Sequence, residues 1–543
     1  MTVRQIVGQF ETVTDVLRAA AGDNADVEAY VEPLTADSPR RTVTFAEWDR
    51  AADGVAGLFA DRGVTRGSVV CLLLPSSIDY MVCFAAAVRL GAITSGINTR
   101  LGATEVASIL DRTRPVLTVI DEGARVPAGP TGVVVQRSVV REATSGPAPI
   151  DRPRLEASDP VAVVWTSGTT GLPKGAIFDH QRLRAVADGT DVLSEAGDRR
   201  LSPLPFAHVG SMTRMWDEIA NGITTVITPT PWRAADTIRI MEVERITVAQ
   251  GVPTQWALVM AHPDLEAADV SSLRIAGTGA SRVPPELVAA MQARLGVPVV
   301  VRYTSTEASL GTGTVPGDAD EVVAITVGRP VPGVSLVVAD DDGREVATGE
   351  VGRVRLSSPA VMVGYWGGPP TGPGAGGLVV DEPTTRSVLG DDGWLTTGDF
   401  GFLDPARNLH LVGRANELYI RGGYNVYPAE VEGVLSGHPE VGQVAVVGAP
   451  DPVLGEIGVA FVTLAEPADA DHDRLLEDLR GLVRTALADY KAPDRLVVME
   501  TLPVTSMMKI DKRALADLAA DTDAVATRAG AETIHQTNGV RAS

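Results

Sequence analysis

Short runs of β-branched residues alternate with Ala- and Leu-rich helical patterns along most of this chain. "SVVCLLL" (68–74) precedes the helix-like "IDYMVCFAAAVRLG" (78–91), and "ATEVASILDRTR" (103–114) precedes "PVLTVID" (115–121). Strands that take turns with helices form mostly parallel sheets whose faces the helices cover, so the expectation is an α/β protein. At 543 residues the chain exceeds what one hydrophobic core holds, and two or more domains are expected. An apolar content of 45% is enough to fill them.

Charge narrows the function. Lys and Arg number 47 against 69 Asp and Glu, a formal net charge of −22. Such a field repels nucleic acid and anionic membrane, which both reward clustered cations. A small-molecule enzyme fits better. The two cysteines, Cys71 and Cys83, exclude a disulfide framework and a four-thiolate metal site. The opening "MTVRQIVGQFETVTDVLRAA" has acidic and polar residues where a signal peptide needs an apolar stretch. No run approaches the ~18 apolar residues of a membrane helix. A cytoplasmic protein with no membrane span and no nucleic-acid partner is expected.

Pro- and Gly-rich "GPAPIDRPRLEASDP" (146–160) reads as a linker or loop, and "GGPPTGPGAGG" (367–377) as a flexible surface insertion. A second unit begins near residue 415, with a strand at 458–464, a helix at 472–488 and the strand "RLVVME". "DTDAVATRAGAETIHQTNGVRAS" lacks periodicity. The division is therefore 1–415, a small α+β domain at 416–515, and a disordered tail at 516–543.

Four segments carry chemistry. In "VAVVWTSGTTGLPKGAIFDH" (161–180) a strand runs into Thr166, Ser167, Gly168, Thr169, Thr170, Gly171 and, after Leu172 and Pro173, Lys174. Glycines let backbone N–H groups converge on an anion, hydroxyls donate further bonds, and Lys174 supplies charge, which suits a phosphate chain. Gly175 follows Lys174, so this is not a Walker motif. "YTSTEAS" (303–309) places Tyr303, Thr304, Thr306 and Glu307 just beyond the strand "PVVVR", where open α/β sheets bind ligands. Glu307 suits Mg²⁺, which takes one or two carboxylates plus phosphate oxygens. "GWLTTGDFGFLD" (393–404) supplies Asp399 for vicinal ribose hydroxyls, and "LVGRANELYIRGGYNVYPAEVE" (411–432) supplies Arg414 and the pair Gly422–Gly423. Each alone has a bland reading as a turn, a cap or a surface ion pair; four in this order do not.

Together these segments resemble the adenylate-forming superfamily of acyl-CoA synthetases, coumarate-type ligases, luciferases and peptide-synthetase adenylation domains. The likeness runs from "TVTFAEWDRAADGVAGLF" (42–59) to "TSMMKIDKRAL" (505–515). It implies a large N-terminal domain of mixed, largely parallel sheets with a small β-barrel-like subdomain, plus a mobile C-terminal domain. It implies ATP, Mg²⁺ and CoA, or the phosphopantetheine of a carrier protein, and it allows a homodimer. By resemblance the Thr166–Lys174 loop holds the β- and γ-phosphates and Tyr303 stacks on adenine beside Gly279, Ala280 and Ser281. Thr306 meets the α-phosphate, Glu307 the metal, and Asp399 and Arg414 the ribose. Lys509, in "LPVTSMMKID", takes the place of the lysine that bridges carboxylate and phosphate. Asn416 takes the hinge position, and Gly422–Gly423 lie on the thiol side.

Three positions depart from the family pattern: Met508 replaces a glycine before the lysine, Thr304 replaces a glycine beside the acyl pocket, and Asn416 replaces Asp or Lys. In "LPFAHVGSMTRMWDEIANG" (204–222) no Asp follows Phe206, which speaks against an α-amino acid. His208 matches a gate beside the reacting carboxylate. Val209, Met212 and Trp216 suggest an apolar acid, without separating fatty, aromatic and alicyclic ones. The leading reading is an AMP-forming acid–CoA ligase. The alternatives are an adenylating enzyme serving a carrier protein or partner enzyme, a nucleotide sensor, and a luciferase-like oxygenase.

Overall fold

The computed structural model describes residues 10–36, 38–124, 126–127, 129–147, 153–166, 173–369, 378–465, 472–505 and 508–521. The chain forms two compact units, Met1–Leu411 and Val412–Ser543. The boundary falls inside the strand Leu409–Arg414, ahead of the expected 415/416. Leu409 is wholly buried in the core of the first unit, so no change of composition marks the division.

The first unit holds two parallel-rich sheets. In the six-stranded one the order is Val133–Gln136, Leu117–Ile120, Val69–Leu73, Ile93–Gly96, Pro160–Thr166 and Lys174–Asp179. The pairings are parallel except the last. Every residue of Val69–Leu73 is buried, as a strand covered on both faces requires, and so it reads as an unbroken apolar run. The helix Ile78–Arg89 is buried all round, and Arg89 there is paired with Asp49 and Asp53.

The nine-stranded sheet has six parallel strands at its centre: Val299–Tyr303, Ile275–Gly279, Val248–Gly251, Arg199–Ser202, Thr224–Ile227 and Glu28–Glu32. Antiparallel strands close both edges. Where a barrel-like subdomain is expected stands an open four-stranded sheet, in the order Ser335–Ala339, Gly352–Ser357, Leu395–Leu403 and Leu409–Arg414.

The second unit is a five-stranded sheet flanked by helices. Arg495–Val498 runs parallel to Gly455–Leu464, and the other pairings are antiparallel. In the helix His472–Ala486, Leu475, Leu479 and Val483 fall on one face and are buried. The helix Lys512–Ala520 buries Leu515 and Ala519 against Ala445, Phe461 and Leu502. Residues 516–520 are therefore part of the packed unit, because an i, i+4 apolar pair gives this short segment a face to bury. Residues 522–543 lie outside the described residues.

Candidate functional site

Thr166 and Lys174 are cross-strand partners, so the two ends of the phosphate-loop sequence are held in register. Ser167, Gly168, Thr169, Thr170 and Gly171 lie outside the described residues. The Lys174 ammonium lies 5.4 Å from the centre of the Tyr365 ring. The hydroxyl of that tyrosine donates a 2.6 Å hydrogen bond to Glu307 Oε1. Burial raises the Tyr365 hydroxyl well above the ordinary phenol range, and the charge of Glu307 adds to the shift. Backbone contacts fix the arrangement: Tyr365 bridges to Ala176 in the strand Lys174–Asp179, and Met362 N donates to the Glu307 carbonyl.

Sequence reasoning missed Tyr365. In "VMVGYWGG" it reads as one more core aromatic, and nothing in the spacing links it to a glutamate 58 residues earlier. Glu307 Oε2 takes no hydrogen bond among the described residues. That carboxylate has one oxygen anchored and one open, which fits a divalent ion completed by phosphate oxygens. Among the described residues no group of three or more His, Cys, Asp or Glu could hold a metal without such help.

Ile275–Gly279 and Val299–Tyr303 are adjacent parallel strands, so "GASR" and "YTSTEAS" emerge side by side at their carboxyl ends. Gly279 is required there: a Cβ would sit 2.2 Å from the Arg302 carbonyl oxygen. Ala280 is left-handed, with φ 68°, and both it and Ser281 are exposed. Thr304, Thr306 and Glu307 are half-buried just beyond Tyr303. The Tyr303 hydroxyl donates a 2.7 Å bond to Asp399 Oδ2, joining the nine-stranded sheet to the strand Leu395–Leu403. Both residues are buried.

His208 caps the short helix Val209–Met212, its Nδ1 accepting from Gly210 N at 3.1 Å. That leaves the proton of a neutral ring on Nε2. Val209 and Met212 are buried in the main core, and Trp216 is wholly closed, its Nε1 without an acceptor among the described residues. In this conformation Trp216 offers no surface to a ligand. The same segment contains Arg214, half-buried at the start of the helix Met215–Ala220. Sequence reasoning does not single it out, because an arginine in a helical stretch ordinarily means a solvated face.

In the second unit Arg414 is exposed at a strand end, and Asn416 occupies the turn that follows. Gly422 and Gly423, with φ of 57° and 88°, form the two-residue turn between Tyr419–Arg421 and Tyr424–Val426. Such a turn demands positive φ at both positions, which explains the glycine pair locally. Lys509 lies in a loop closed by a Val504–Ile510 bridge, with Thr505 N donating to its carbonyl at 2.7 Å. Met508 is left-handed, with φ 59°, the conformation a glycine adopts without strain. Residues 506–507 lie outside the described residues. Lys512 reaches Glu417 Oε2 at 2.7 Å and Glu432 Oε1 at 2.8 Å, tying the helix after the loop to the residue after Asn416.

Residues 17–366 match the family model of the AMP-binding enzyme, and residues 430–509 that of the AMP-binding enzyme C-terminal domain. The chain belongs to the AMP-binding enzyme family. It is 32% identical over 494 residues to an indoleacetate–CoA ligase of Aromatoleum aromaticum, covering 87% of this chain and 92% of the relative. It is 34% identical over 533 residues to the 3-[(3aS,4S,7aS)-7a-methyl-1,5-dioxo-octahydro-1H-inden-4-yl]propanoyl:CoA ligase of Mycobacterium tuberculosis, covering 91% and 99%. Among solved structures it is similar to the anthranilate CoA ligase AuaEII in complex with anthranoyl-AMP. The TM-score is 0.82 at 26% identity, over 94% of this chain and 98% of that one. Among the described residues no helix is long and apolar enough to cross a membrane.

Proposed function

We propose that this protein activates a non-amino, largely apolar carboxylic acid with ATP and transfers the acyl group to CoA, releasing AMP. A carboxylate oxygen bonds to the α-phosphorus as the bond to pyrophosphate breaks. The thiol, giving up its proton, then adds to the acyl carbon, and AMP leaves with the former carboxylate oxygen. Charge accumulates on phosphate during the first step, so positioned opposite charge and hydrogen-bond donors do most of the catalysis.

The observation that carries this reading is the Lys174–Tyr365–Glu307 arrangement. A cation at the end of the phosphate-loop sequence and a carboxylate at a strand end are fixed to opposite parts of one buried tyrosine. In this reading the Thr166–Lys174 segment takes the β- and γ-phosphates and Thr306 the α-phosphate. Glu307 would hold Mg²⁺, which neutralises phosphate charge when bound. Tyr303 presents its ring to adenine while its hydroxyl orients Asp399 toward the ribose. His208 stands near the reacting carboxyl. Arg414, Asn416, Lys509 and the Gly422–Gly423 turn keep the ribose, hinge, lysine and thiol roles that the resemblance implies. We place the enzyme in the cytoplasm, where its two cosubstrates are made available together.

The test is pyrophosphate release over a panel of carboxylic acids, with and without CoA, followed by direct detection of thioester. Acid-dependent pyrophosphate release with acyl-CoA as product is the expected result. Acid-dependent release with no thioester from CoA, but with loading of a phosphopantetheinyl carrier protein, would move the second step to that acceptor.

A further inference from the structure

Arg214 belongs to a cluster of charges between the nine-stranded sheet and the helix Met215–Ala220, together with Arg200, Arg302, Asp191 and Asp217. The carboxylates there are committed elsewhere. Asp217 accepts from Thr190, Asn221, Ser194 and Arg200, which uses both of its oxygens. Glu218 takes Arg200, and Asp191 takes Arg302 at 2.5 Å. The guanidinium of Arg214, alone of the three, has neither an ion pair nor a hydrogen bond among the described residues.

A cation left so deep without a partner is costly, and a protein retains one where something else completes it. Burial is the largest influence on this guanidinium and opposes its charge. Yet Arg214 keeps accessible surface, and its nitrogens are not among the sealed polar atoms. Its place along the chain is beside the proposed site: Arg302 directly precedes Tyr303 and Thr304, and Arg214 follows His208 by six residues.

We propose that Arg214 recognises a second oxygen acceptor on the acid substrate, a ketone or a second carboxylate remote from the carboxyl that is activated. This rests on the reading of the His208–Trp216 segment as the acyl side of an acid–CoA ligase. It makes the substrate an oxo acid or dicarboxylic acid with an otherwise apolar frame. The planar fork suits either, one acceptor through one N–H or a carboxylate through two.

The experiment measures kcat and KM for pyrophosphate release with matched acids, straight-chain and cyclohexane-based, of graded length. Each frame ends in a methyl, a ketone or a carboxylate. With the parent enzyme a ketone- or carboxylate-ended acid exceeds its methyl counterpart in kcat/KM by about 10- to 100-fold, the range for a hydrogen bond to a charged group. The ketone and carboxylate arms tell the two acceptors apart. Arg214→Met reduces that preference to below about threefold through KM and improves the methyl-ended acid, while Arg214→Lys keeps part of it. Arg214→Met also raises the melting temperature of the ligand-free protein, because an unpartnered charge has been removed. Three results overturn the proposal: preference for methyl-ended acids in the parent, equal loss on all acids in Arg214→Met, or a lower melting temperature in that variant. These leave the ligase reading standing. Pyrophosphate release with none of the acids overturns both.

Discussion

The Tyr365 hydroxyl holds Glu307 Oε1 at 2.6 Å, and the tyrosine is buried so that its proton stays in place. With Lys174 against the ring, one aromatic residue spaces a cation from a carboxylate. Tyr365→Phe keeps the ring and loses the bond. A hydrogen bond to a charged group contributes about 1.5–3 kcal/mol, so kcat/KM for ATP falls by tenfold or more. The Mg²⁺ concentration for half-maximal rate rises, because Glu307 is no longer oriented. An Mg²⁺ titration identical to that of the parent would show that Tyr365 does not position Glu307.

Met508 carries a backbone strain that its sequence neighbours do not explain. A left-handed conformation costs an L-residue about 1–2 kcal/mol, and glycine avoids that penalty while losing more entropy on folding. Met508→Gly raises stability by about 1 kcal/mol in denaturant unfolding, whereas Met508→Ala keeps the strain and gives no gain. A gain of equal size in both variants would place the cost in the methionine side chain instead of the backbone.

Lys509→Ala separates the half-reactions. Removing one positioned electrostatic group costs on the order of 10²–10³ in rate, and adenylation bears that loss. Thioester formation from a synthetic acyl-adenylate is largely spared. Equal loss in both steps would mean that the loop itself had been disturbed.

His180 is buried, and its Nδ1 accepts from Val13 N at 3.1 Å. Burial lowers its pKa from 6.5 to about 4, against smaller opposing effects of Asp159 and Asp15. The unfolded chain therefore takes up this proton first as the pH falls. Stability present above pH 6.5 is lost between 6.5 and 4, by up to about 3 kcal/mol. His180→Asn, which keeps an acceptor, has a shallower acid limb in pH-dependent unfolding; an unchanged limb would assign acid loss to other groups.

The alternation of strand and helix was legible because buried parallel strands such as Val69–Leu73 must be continuously apolar. The strand-end positions of Tyr303 and Glu307 were legible because a motif sits where a periodic run stops. Tyr365 was not, since its partners lie far along the chain, and Arg214 was not, since the burial of a cation leaves no mark in a sequence pattern. Val209, Met212 and Trp216 show the converse: the apolar residues expected to line the acyl side are buried in the main core, as their hydrophobicity alone also permits. The folded extent of Lys512–Ala520 was hidden because a nine-residue Ala-rich helix has too few apolar positions to set a period.

The central claim is that the acid is activated as an acyl-adenylate, and the fate of its oxygen tests this most directly. Acid labelled with ¹⁸O in both carboxyl oxygens is turned over once with ATP and CoA, and the products are weighed by mass spectrometry. The account predicts one ¹⁸O in AMP and none in pyrophosphate, because the attacking oxygen leaves with the α-phosphate. Label in orthophosphate with formation of ADP would mean attack at the terminal phosphate and would contradict it.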